Sequence, residues 1–360
     1  MESKPDCIVP RRGRGILILD HHGFGNVVMS IPFLKAISDW AKGRWPVTVL
    51  LNSAGQFDLI REEGLAIKTV SYKPRYVGLA GLVRFRADFR NRFDLIVGVP
   101  QIPVPKIMLL GALVGARHWA AEAFGWYRPF LAAWAAKNWT KPILQSQEEL
   151  AAAIGAGIPL QPPHITLRDE ERLWAKAVMD HAGCSVAQPV IGLHCSSTKE
   201  SKRWPGQYFA ETLCRLQDIF PRMAVVSFGS SNERADVDSV RRACGPIPWL
   251  DGTSGWSIRE SLAVLSECDV VISGDTGIMH MAAAVGTKTV AVFGPTSPQR
   301  LAPRYNAGVS AHPEKSCHPC YRDHFRPCTC IRLVSPERVC ALARCCLAPI
   351  LAGQPLSRAV

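Results

Sequence analysis

No apolar run in the sequence is long enough to cross a bilayer. A transmembrane helix needs roughly 18 to 20 consecutive apolar residues. The most apolar stretch, residues 107–136, is interrupted by four polar or charged side chains: Arg117, His118, Glu122 and Arg128. Residues 1–14 are polar and basic and contain no secretory signal. We therefore expect the protein to stay in the cytoplasm.

Acidic residues are scarce compared with basic ones. The chain has 42 Lys and Arg against 30 Asp and Glu, a formal net charge of +12 at pH 7. This excess favours an anionic partner, such as nucleic acid, an acidic membrane face or a phosphorylated glycolipid, although it also serves solubility alone. The sequence has no base-stacking platform or recognition motif, so we reject nucleic acid as the partner. The candidate helix 79–93 is rich in arginine and would attract an acidic acceptor to the first half of the chain.

The glycine pattern of dinucleotide-binding proteins is also missing. A short apolar run, Ile16–Leu19, leads into Asp20-His21-His22-Gly23-Phe24-Gly25-Asn26, which predicts a strand, a loop and then a helix. Val28 occupies the place of the third glycine in the GxGxxG pattern, so a nicotinamide dehydrogenase is excluded.

The chain is long enough for two domains. Its 360 residues are 48% hydrophobic and 20% charged, which is typical of a globular protein. Buried strands are predicted at Val47–Leu51, Ile67–Val70, Leu95–Val99, Val190–His194 and Ala224–Phe228. A proline-rich stretch, 157–163, resists regular structure and marks a boundary. We predict a first domain at 1–158, a second at 165–335, and a C-terminal helix and tail at 336–360 that packs back on the first domain.

The stretch Val270–Pro303 predicts a strand, a tight turn, a short helix and a second strand. Asp275 and Thr276 stand where a helix begins, and either side chain could cap it. Unpaired amides and the positive end of the helix dipole make such a turn an anion site, which His280 could also reach. An ordinary capped βαβ unit is the plainer interpretation.

These residues resemble a known family. Asp275-Thr276-Gly277, His280, Ala282, Gly286, Phe293-Gly294-Pro295-Thr296 and Pro298 together resemble the C-terminal signature of glycosyltransferase family nine, the heptosyltransferases of lipopolysaccharide core assembly. The resemblance implies an α/β protein of the GT-B class, with two Rossmann-like domains facing each other across a cleft. It also implies that the second domain binds the nucleotide-sugar donor.

Two further loops of the second half suit that donor. Hydroxyls at Ser196 and Ser197 and the cation of Lys202 follow a strand and could bind a diphosphate. Lys202-Arg203-Trp204-Pro205 is also similar to the family's lysine-x-tryptophan-proline element, whose lysine contacts the diphosphate. By the same resemblance, Glu233 binds the nucleoside, where a carboxylate can accept from ribose hydroxyls.

The first loop departs from the family at the catalytic base. The family carries an aspartate where this chain has Asn26, and a carboxamide cannot take a proton at neutral pH. His22 and His21 follow the first strand and titrate in a suitable range, so they are the candidates to replace it. Asp20 and Asp94 are weaker candidates.

The cysteines are concentrated near the C-terminus. Seven of the thirteen lie in Cys317–Cys346. Cys317, Cys320, Cys328 and Cys330 form a CxxC followed by a CxC, a set that could hold structural zinc or iron. Free thiols that only pack a loop are the alternative. The family often carries a comparable group of cysteines, but with a different spacing.

Aromatic side chains cluster between the strands of the first half. Trp119, Phe124, Trp126, Tyr127, Phe130 and Trp134 lie among Arg117 and Arg128. The mixture is typical of a membrane interface as well as of a core, so peripheral contact with the inner face of the cytoplasmic membrane stays open.

The resemblance predicts an inverting glycosyltransferase without a catalytic metal. Its donor would be ADP-heptose or another nucleotide-diphosphate sugar, and its acceptor an acidic glycolipid or glycan of the cell envelope. Two alternatives stay open. Asn26 could make the protein a catalytically impaired binder of nucleotide sugars, or the same fold could serve a nucleotide-sugar epimerase.

Overall fold

The computed structural model describes residue 8 and residues 10–11, 13–157, 159–253, 255–305, 308–315, 317–321 and 329–352. The chain divides into two compact units, Met1–Pro163 and His164–Val360. The division falls at the end of the proline-rich stretch 157–163. No helix within the described ranges has both the length and the apolar character that a bilayer span requires.

The first unit is a parallel sheet with helical crossovers. Its strands are β1 (Gly15–Asp20), β2 (Val47–Leu51), β3 (Ile67–Ser71), β4 (Phe93–Gly98), β5 (His118–Ala123) and β6 (Ala133–Ala136). Its helices are α1 (Phe24–Ala41), α2 (Gly78–Phe89), α3 (Val104–Val114) and α4 (Ile143–Ile154), with 3-10 helices at Ala54–Leu59 and Gly125–Phe130. Every residue of β1 is buried, as expected for a central strand covered on both faces.

The strand order of the first unit is β3-β2-β1-β4-β5-β6. The strands β2 and β3 lie on one side of β1, and β4, β5 and β6 lie on the other side. In the register of the sheet, Ile16 of β1 is paired with Val47 of β2 and with Leu95 of β4. Open sheets of this type bind ligands beyond the carboxyl ends of the strands, at the point where the order reverses. In this unit that point lies after Asp20.

The second unit repeats this plan. Its strands are β7 (Val190–His194), β8 (Ala224–Phe228), β9 (Trp249–Gly252), β10 (Val270–Gly274), β11 (Lys288–Val292) and β12 (Val309–Ala311). Its helices are α5 (Asp169–His181), α6 (Gly206–Ile219), α7 (Arg234–Ala243), α8 (Ile258–Glu267), α9 (Gly277–Ala284), α10 (Pro298–Leu301), α11 (Pro336–Cys346) and α12 (Ala348–Leu351), with 3-10 helices at Glu200–Lys202, Ser231–Glu233 and Cys330–Leu333.

The second sheet is also parallel, in the order β12-β11-β10-β7-β8-β9. The order reverses between β7 and β10, so the predicted ligand edge lies after His194 and Gly274. The two parallel sheets confirm the predicted α/β class.

Some element boundaries differ from those that the sequence predicts. The candidate helix 79–93 ends at Phe89, because Asn91 adopts a left-handed backbone (φ 59°) and Phe93 already begins β4. The closing helix is interrupted between α11 and α12, where Pro349 has no amide to donate. Buried residues of α11, among them Val339 and Ala343, belong to the core of the second unit. The packing of residues 336–360 on the first domain stays a prediction.

A buried ion pair joins α5 to α8. Arg259 donates to both carboxylate oxygens of Glu171, at 2.8 and 2.5 Å, and to the carbonyl of Thr166 at 2.7 Å. Arg168 binds the same carboxylate from its backbone amide and its guanidinium. Burial acts to raise the pKa of Glu171, but the bonds from Arg259 and Arg168 outweigh it and lower the pKa to about 2.

Removing the buried cation should destabilise the second unit strongly. We expect Arg259→Met to lower the free energy of unfolding by about 3–5 kcal/mol, because the Glu171 carboxylate stays buried without that partner. Because the pKa of Glu171 is depressed, the pair stabilises the fold above pH 4.5 and loses its effect as the pH falls towards 2. Urea titrations should therefore show that the difference in free energy of unfolding between wild type and variant shrinks as the pH is lowered from 7 to 3. Arg168→Met, at a side chain 42% exposed, is the control and should cost less than about 1 kcal/mol.

Candidate functional site

Polar side chains converge at the carboxyl edge of the second sheet. The segments that follow β7, β8 and β10, including the helix α9, carry all eight residues that the sequence predicts for donor binding: Ser196, Ser197, Lys202, Glu233, Asp275, Thr276, Gly277 and His280. Four of the eight, Lys202, Asp275, Thr276 and Glu233, belong to two polar groups that the structure brings together.

The first group centres on Asp275. Its Oδ2 accepts from the Lys202 ammonium at 2.5 Å and from the Thr296 hydroxyl at 2.6 Å. Burial acts to raise the pKa of Asp275, but the charge and hydrogen bonds of Lys202 and Thr296 hold it below its ordinary value of 3.8. The carboxylate is therefore charged, and it ties together the loops that follow β7, β10 and β11.

The glycine of the β11 loop permits this close packing. A Cβ at Gly294 would lie 2.6 Å from the carbonyl oxygen of Ser201, one residue before Lys202. Only glycine lets the two loops approach to this distance, because a backbone oxygen cannot move aside as a flexible side chain can.

The amino end of α9 lacks the predicted cap. Thr276 is its N-cap residue but makes no capping hydrogen bond, and the first turn contains no acidic side chain. Its hydroxyl lies 3.2 Å from Nδ1 of His194 instead. The helix therefore presents its first amides, and the positive end of its dipole, to a ligand. His280 lies within α9 and is buried, which lowers its pKa to about 4 and keeps it neutral.

The second group centres on His194. Its Nε2 lies 3.5 Å from Oε1 of Glu233, whose other oxygen accepts from the amide and hydroxyl of Ser230 at 2.7 and 2.9 Å. The bond with His194 is the main cause that lowers the pKa of Glu233 to about 2. Glu233 is only partly buried, with 24% of its side chain exposed, so this charged carboxylate can still accept from a ligand hydroxyl.

Ser196 and Ser197 make different hydrogen bonds. Ser196 donates to Asp236 at 2.8 Å and is committed to that bond. Ser197 Oγ accepts from the amide of Lys199, and its carbonyl accepts from Arg203.

Sequence reasoning missed His194, Asp236 and Thr296. Each bonds to a predicted residue of this edge. Thr296 lies in the family signature but carried no predicted role, and His194 and Asp236 belong to no motif. The position of His194 as the last residue of a buried strand was a usable signal, because that is where open α/β sheets place ligand-binding side chains.

The first unit carries a cluster of aromatic and basic side chains beyond β1. The rings of His21 and His22 lie 6.0 Å apart, and His21 also stacks on Tyr72 at 5.0 Å. Lys106, in the first turn of α3, places its ammonium 4.6 Å from the centre of the Tyr72 ring. The side chain of Gln56 holds the loop by donating to the carbonyl of His22 at 2.7 Å.

Both histidines of this cluster are neutral. Burial and the positive charge of Lys106 lower the pKa of His21 to about 3 and that of His22 to about 4. Nδ1 of each ring is buried and has no hydrogen-bond partner among the residues that the structure describes. A neutral imidazole can accept a proton or a hydrogen bond, so both rings remain candidates for that role.

The two aspartates that the sequence offers as weaker candidates for the base differ in position. Asp20 is fully buried, neither carboxyl oxygen has a partner within the described ranges, and burial raises its pKa to about 7. Ser30 lowers this pKa slightly, although its hydroxyl donates to the carbonyl of Asn26 at 2.9 Å. Asp94 is the second residue of β4, at the opposite edge of the sheet, and accepts from the amide of Arg11. It cannot act beyond β1.

Asn26 lies in the first turn of α1. Its amide donates to the carbonyl of Gly23, the N-cap residue, and no acidic side chain is present in this turn. Asn26 therefore leaves the amino end of α1 without the negative charge that an aspartate would bring.

The described cysteines do not form a metal centre. Cys317, Cys320 and Cys330 are described, whereas Cys328 lies outside the described residues. Among the described side chains, no three His, Cys, Asp or Glu are placed to hold a metal ion. The backbone of Cys320 and Tyr321 instead binds the carbonyl of Pro295, so this segment covers the turn that carries Thr296.

Comparison with known proteins gives a consistent result. The sequence profile described as "Glycosyltransferase family 9 (heptosyltransferase)" matches residues 115–327, more than half of the chain. Lipooligosaccharide heptosyltransferase 2 of Haemophilus influenzae is 27% identical over 155 residues, which cover 41% of this chain and 43% of that protein. The matched segment thus spans less than half the length of this relative, and 41% of that of lipopolysaccharide heptosyltransferase 2 of Escherichia coli.

Solved structures match over nearly the whole chain. A family 9 glycosyltransferase from Veillonella parvula superposes with a TM-score of 0.75 at 18% identity, covering 95% of this chain and 99% of that one. The ADP-heptose lipopolysaccharide heptosyltransferase II of Escherichia coli gives 0.68 at 17% identity, covering 94% and 99%. At these identities the likeness shows a shared fold, which confirms the GT-B prediction at the level of fold class.

The histidine pair offers a test of the electrostatics beyond β1. We expect both imidazoles to titrate well below pH 6.5 in histidine side-chain NMR spectra. Lys106→Met should raise the pKa of both rings, because it removes the positive charge, without bringing either to 6.5, because burial is the larger cause. Lys106→Arg keeps the charge and is the control. Titration midpoints near pH 6.5 for the two imidazoles of the wild type would contradict the conclusion that both rings are buried and neutral.

Proposed function

Because the chain belongs to glycosyltransferase family 9, we propose that it transfers a sugar, heptose or a related one, from a nucleotide-diphosphate sugar to a glycolipid or glycan of the cell envelope. The observation that carries this proposal is the amino end of α9, where uncapped amides lie beside Lys202, Asp275 and Thr296. Such an arrangement favours a diphosphate.

We assign the diphosphate of the donor to this turn. The first amides of α9 would donate to its oxygens, and Lys202 would share its charge between Asp275 and the ligand. Glu233, still partly exposed, would accept from the ribose hydroxyls. The heptosyltransferase II of Escherichia coli is described as an ADP-heptose enzyme, which makes ADP-heptose the first donor to test.

The proposed reaction is a displacement with inversion. The acceptor oxygen forms a bond to the anomeric carbon, the bond from that carbon to the diphosphate oxygen breaks, and the electron pair leaves with the nucleotide diphosphate. The helix dipole and Lys202 stabilise the developing negative charge, which is the work that a divalent cation performs in other transferases.

The proton of the acceptor hydroxyl needs a base, and we propose His22, with His21 as the second candidate. Both rings are neutral, and each has a buried Nδ1 without a partner among the described residues. Asn26 cannot take the proton. A bound acidic acceptor would offset the charge of Lys106 and so raise the basicity of the rings towards the range in which a general base works well.

Donor binding is the first test. Isothermal titration with ADP, UDP, GDP, dTDP and their sugars should give a measurable affinity for at least one ligand. Lys202→Gln keeps a hydrogen-bond donor for Asp275 but removes the charge, and should weaken binding about 10- to 100-fold. Lys199→Gln, at an exposed lysine three residues earlier, is the matched control and should bind as the wild type does. If no activated sugar or nucleotide binds the folded protein, the proposal is wrong.

The catalytic base is tested by activity at saturating donor. We expect His22→Gln to lower kcat about 100-fold or more with little change in donor affinity, and His21→Gln to have a smaller effect. Asn26→Asp should not raise the rate above that of the wild type.

Other outcomes favour the alternatives. Activity that appears only in Asn26→Asp would identify an impaired nucleotide-sugar binder. Solvent deuterium incorporated into the donor without an acceptor would identify an epimerase.

A further inference from the structure

A short segment of the cysteine-rich part of the chain lies on the turn that carries Thr296. We call residues 317–321 the cover segment. It follows β12 and consists of Cys317, His318, Pro319, Cys320 and Tyr321. The sequence singles the segment out through its cysteines, whereas the hydrogen bonds that join it to the turn come from its backbone and from two other side chains.

The backbone of the cover segment binds the start of the turn. The carbonyl of Pro295 accepts from the amides of Cys320 and Tyr321, at 3.0 and 3.1 Å. Both bonds join backbone groups, so they do not depend on which side chains the segment carries. They bring the side chains of the segment to the next two residues of the turn.

Two side chains of the cover segment bind those next residues. Nε2 of His318 lies 3.1 Å from the carbonyl oxygen of Thr296, and because a carbonyl can only accept, this ring nitrogen is the one that donates. The hydroxyl of Tyr321 accepts from the amide of Ser297 at 3.2 Å. A substitution can remove either bond and leave the backbone contacts in place.

The ring of His318 is itself held in position. It stacks on the ring of His312, with ring centres 5.1 Å apart and an angle of 25° between the planes. The carbonyl of His312 accepts from Arg338 of α11 at 3.2 Å, and the same guanidinium binds Glu314 at 2.9 Å. The imidazole is therefore presented to the turn from a framework that includes α11.

Thr296 connects the cover segment to the candidate donor site. Its carbonyl binds His318, while its hydroxyl donates at 2.6 Å to Oδ2 of Asp275, the oxygen that also accepts from Lys202. Threonine is stiff at its first side-chain torsion, so a fixed backbone also fixes the direction of the hydroxyl. The cover segment thereby determines where Asp275 finds its second hydrogen bond.

We propose that His318 and Tyr321 are positioning residues for the diphosphate of the nucleotide donor. They hold the turn so that the Thr296 hydroxyl shares the charge of Asp275 with Lys202. Without this hydroxyl, the carboxylate would hold the ammonium more tightly and draw it away from a ligand. Donor affinity then falls although neither residue touches the donor. The inference rests on the proposed function, because it requires a diphosphate at the amino end of α9.

Isothermal titration of the full-length protein tests the positioning role. ADP, UDP, GDP and dTDP are titrated into the wild type, and the nucleotide that binds most tightly is used with every variant. We expect His318→Ala to weaken binding about 5- to 10-fold and Tyr321→Phe about twofold, since each loses one hydrogen bond to the turn. His318→Gln keeps an N–H donor and should restore most of the affinity.

A double variant separates positioning from a general loss of structure. Thr296→Val removes the hydroxyl through which His318 is proposed to act, so Thr296→Val/His318→Ala should bind no more weakly than Thr296→Val alone. His181→Ala, at an exposed histidine in the last turn of α5, is the matched control and should bind as the wild type does. Circular dichroism melts establish that each variant is folded. If His318→Ala does not fold, Tyr321→Phe tests the same turn.

The outcomes separate this proposal from the proposed function. If the wild type binds a nucleotide and the folded His318→Ala and Tyr321→Phe bind it equally well, the positioning role is wrong and the proposed function stands. Losses that add up in the double variant, or an equal loss in His181→Ala, would also overturn the positioning role. If the wild type binds no nucleotide and no activated sugar, both proposals are wrong.

Discussion

The buried contact between Lys202 and Asp275 is the interaction on which the candidate site depends. A carboxylate in this position would be costly without a cation, and the hydroxyl of Thr296 supplies its second hydrogen bond. Together, these two bonds join the loops that follow β7, β10 and β11. The bond between Lys202 and Asp275 also places Lys202 beside the first turn of α9. Since the carboxylate is occupied by these partners, it does not neutralise the amides of that turn. A structural ion pair thereby leaves the proposed anion site open.

The two units share a strand order but differ in whether the polar groups at the carboxyl edge of the sheet have hydrogen-bond partners. In the second unit, buried charges are paired, as in Asp275 with Lys202 and Glu171 with Arg259. In the first unit, Asp20 and the Nδ1 atoms of the two histidines have no partner within the described part of the chain, and in the second unit the same holds for Nδ1 of His312. Groups of this kind reduce stability, and they are found most often where a ligand completes the hydrogen bonding. This contrast is consistent with a donor held by paired charges and a reaction that needs a group free to accept a proton.

Much of the fold and of the candidate site could be predicted from the sequence, and the physical reasons can be named. Continuous apolar runs such as Val47–Leu51 and Val270–Ile272 predict buried strands, because strands covered on both faces need no polar alternation. The strands β5, β6, β9 and β12 were missed, since none of them carries such a run. The eight residues of the proposed donor site were predicted from motifs and chemistry. The hydrogen-bonding roles of their partners His194, Asp236 and Thr296 were not predicted, because a contact between segments far apart in sequence leaves no local pattern.

The sequence by itself determined the α/β class, the family and the residue types at the proposed anion-binding turn, because these follow from local periodicity and from motifs of short span. The tertiary structure decided which charges are paired and which rings are exposed. It placed Lys202 on Asp275, left the histidines beyond β1 neutral, and put Trp126 at the surface. The burial of a side chain and its hydrogen-bond partners depend on contacts between distant segments. Its exposed fraction follows from burial, and its pKa depends on both burial and partners.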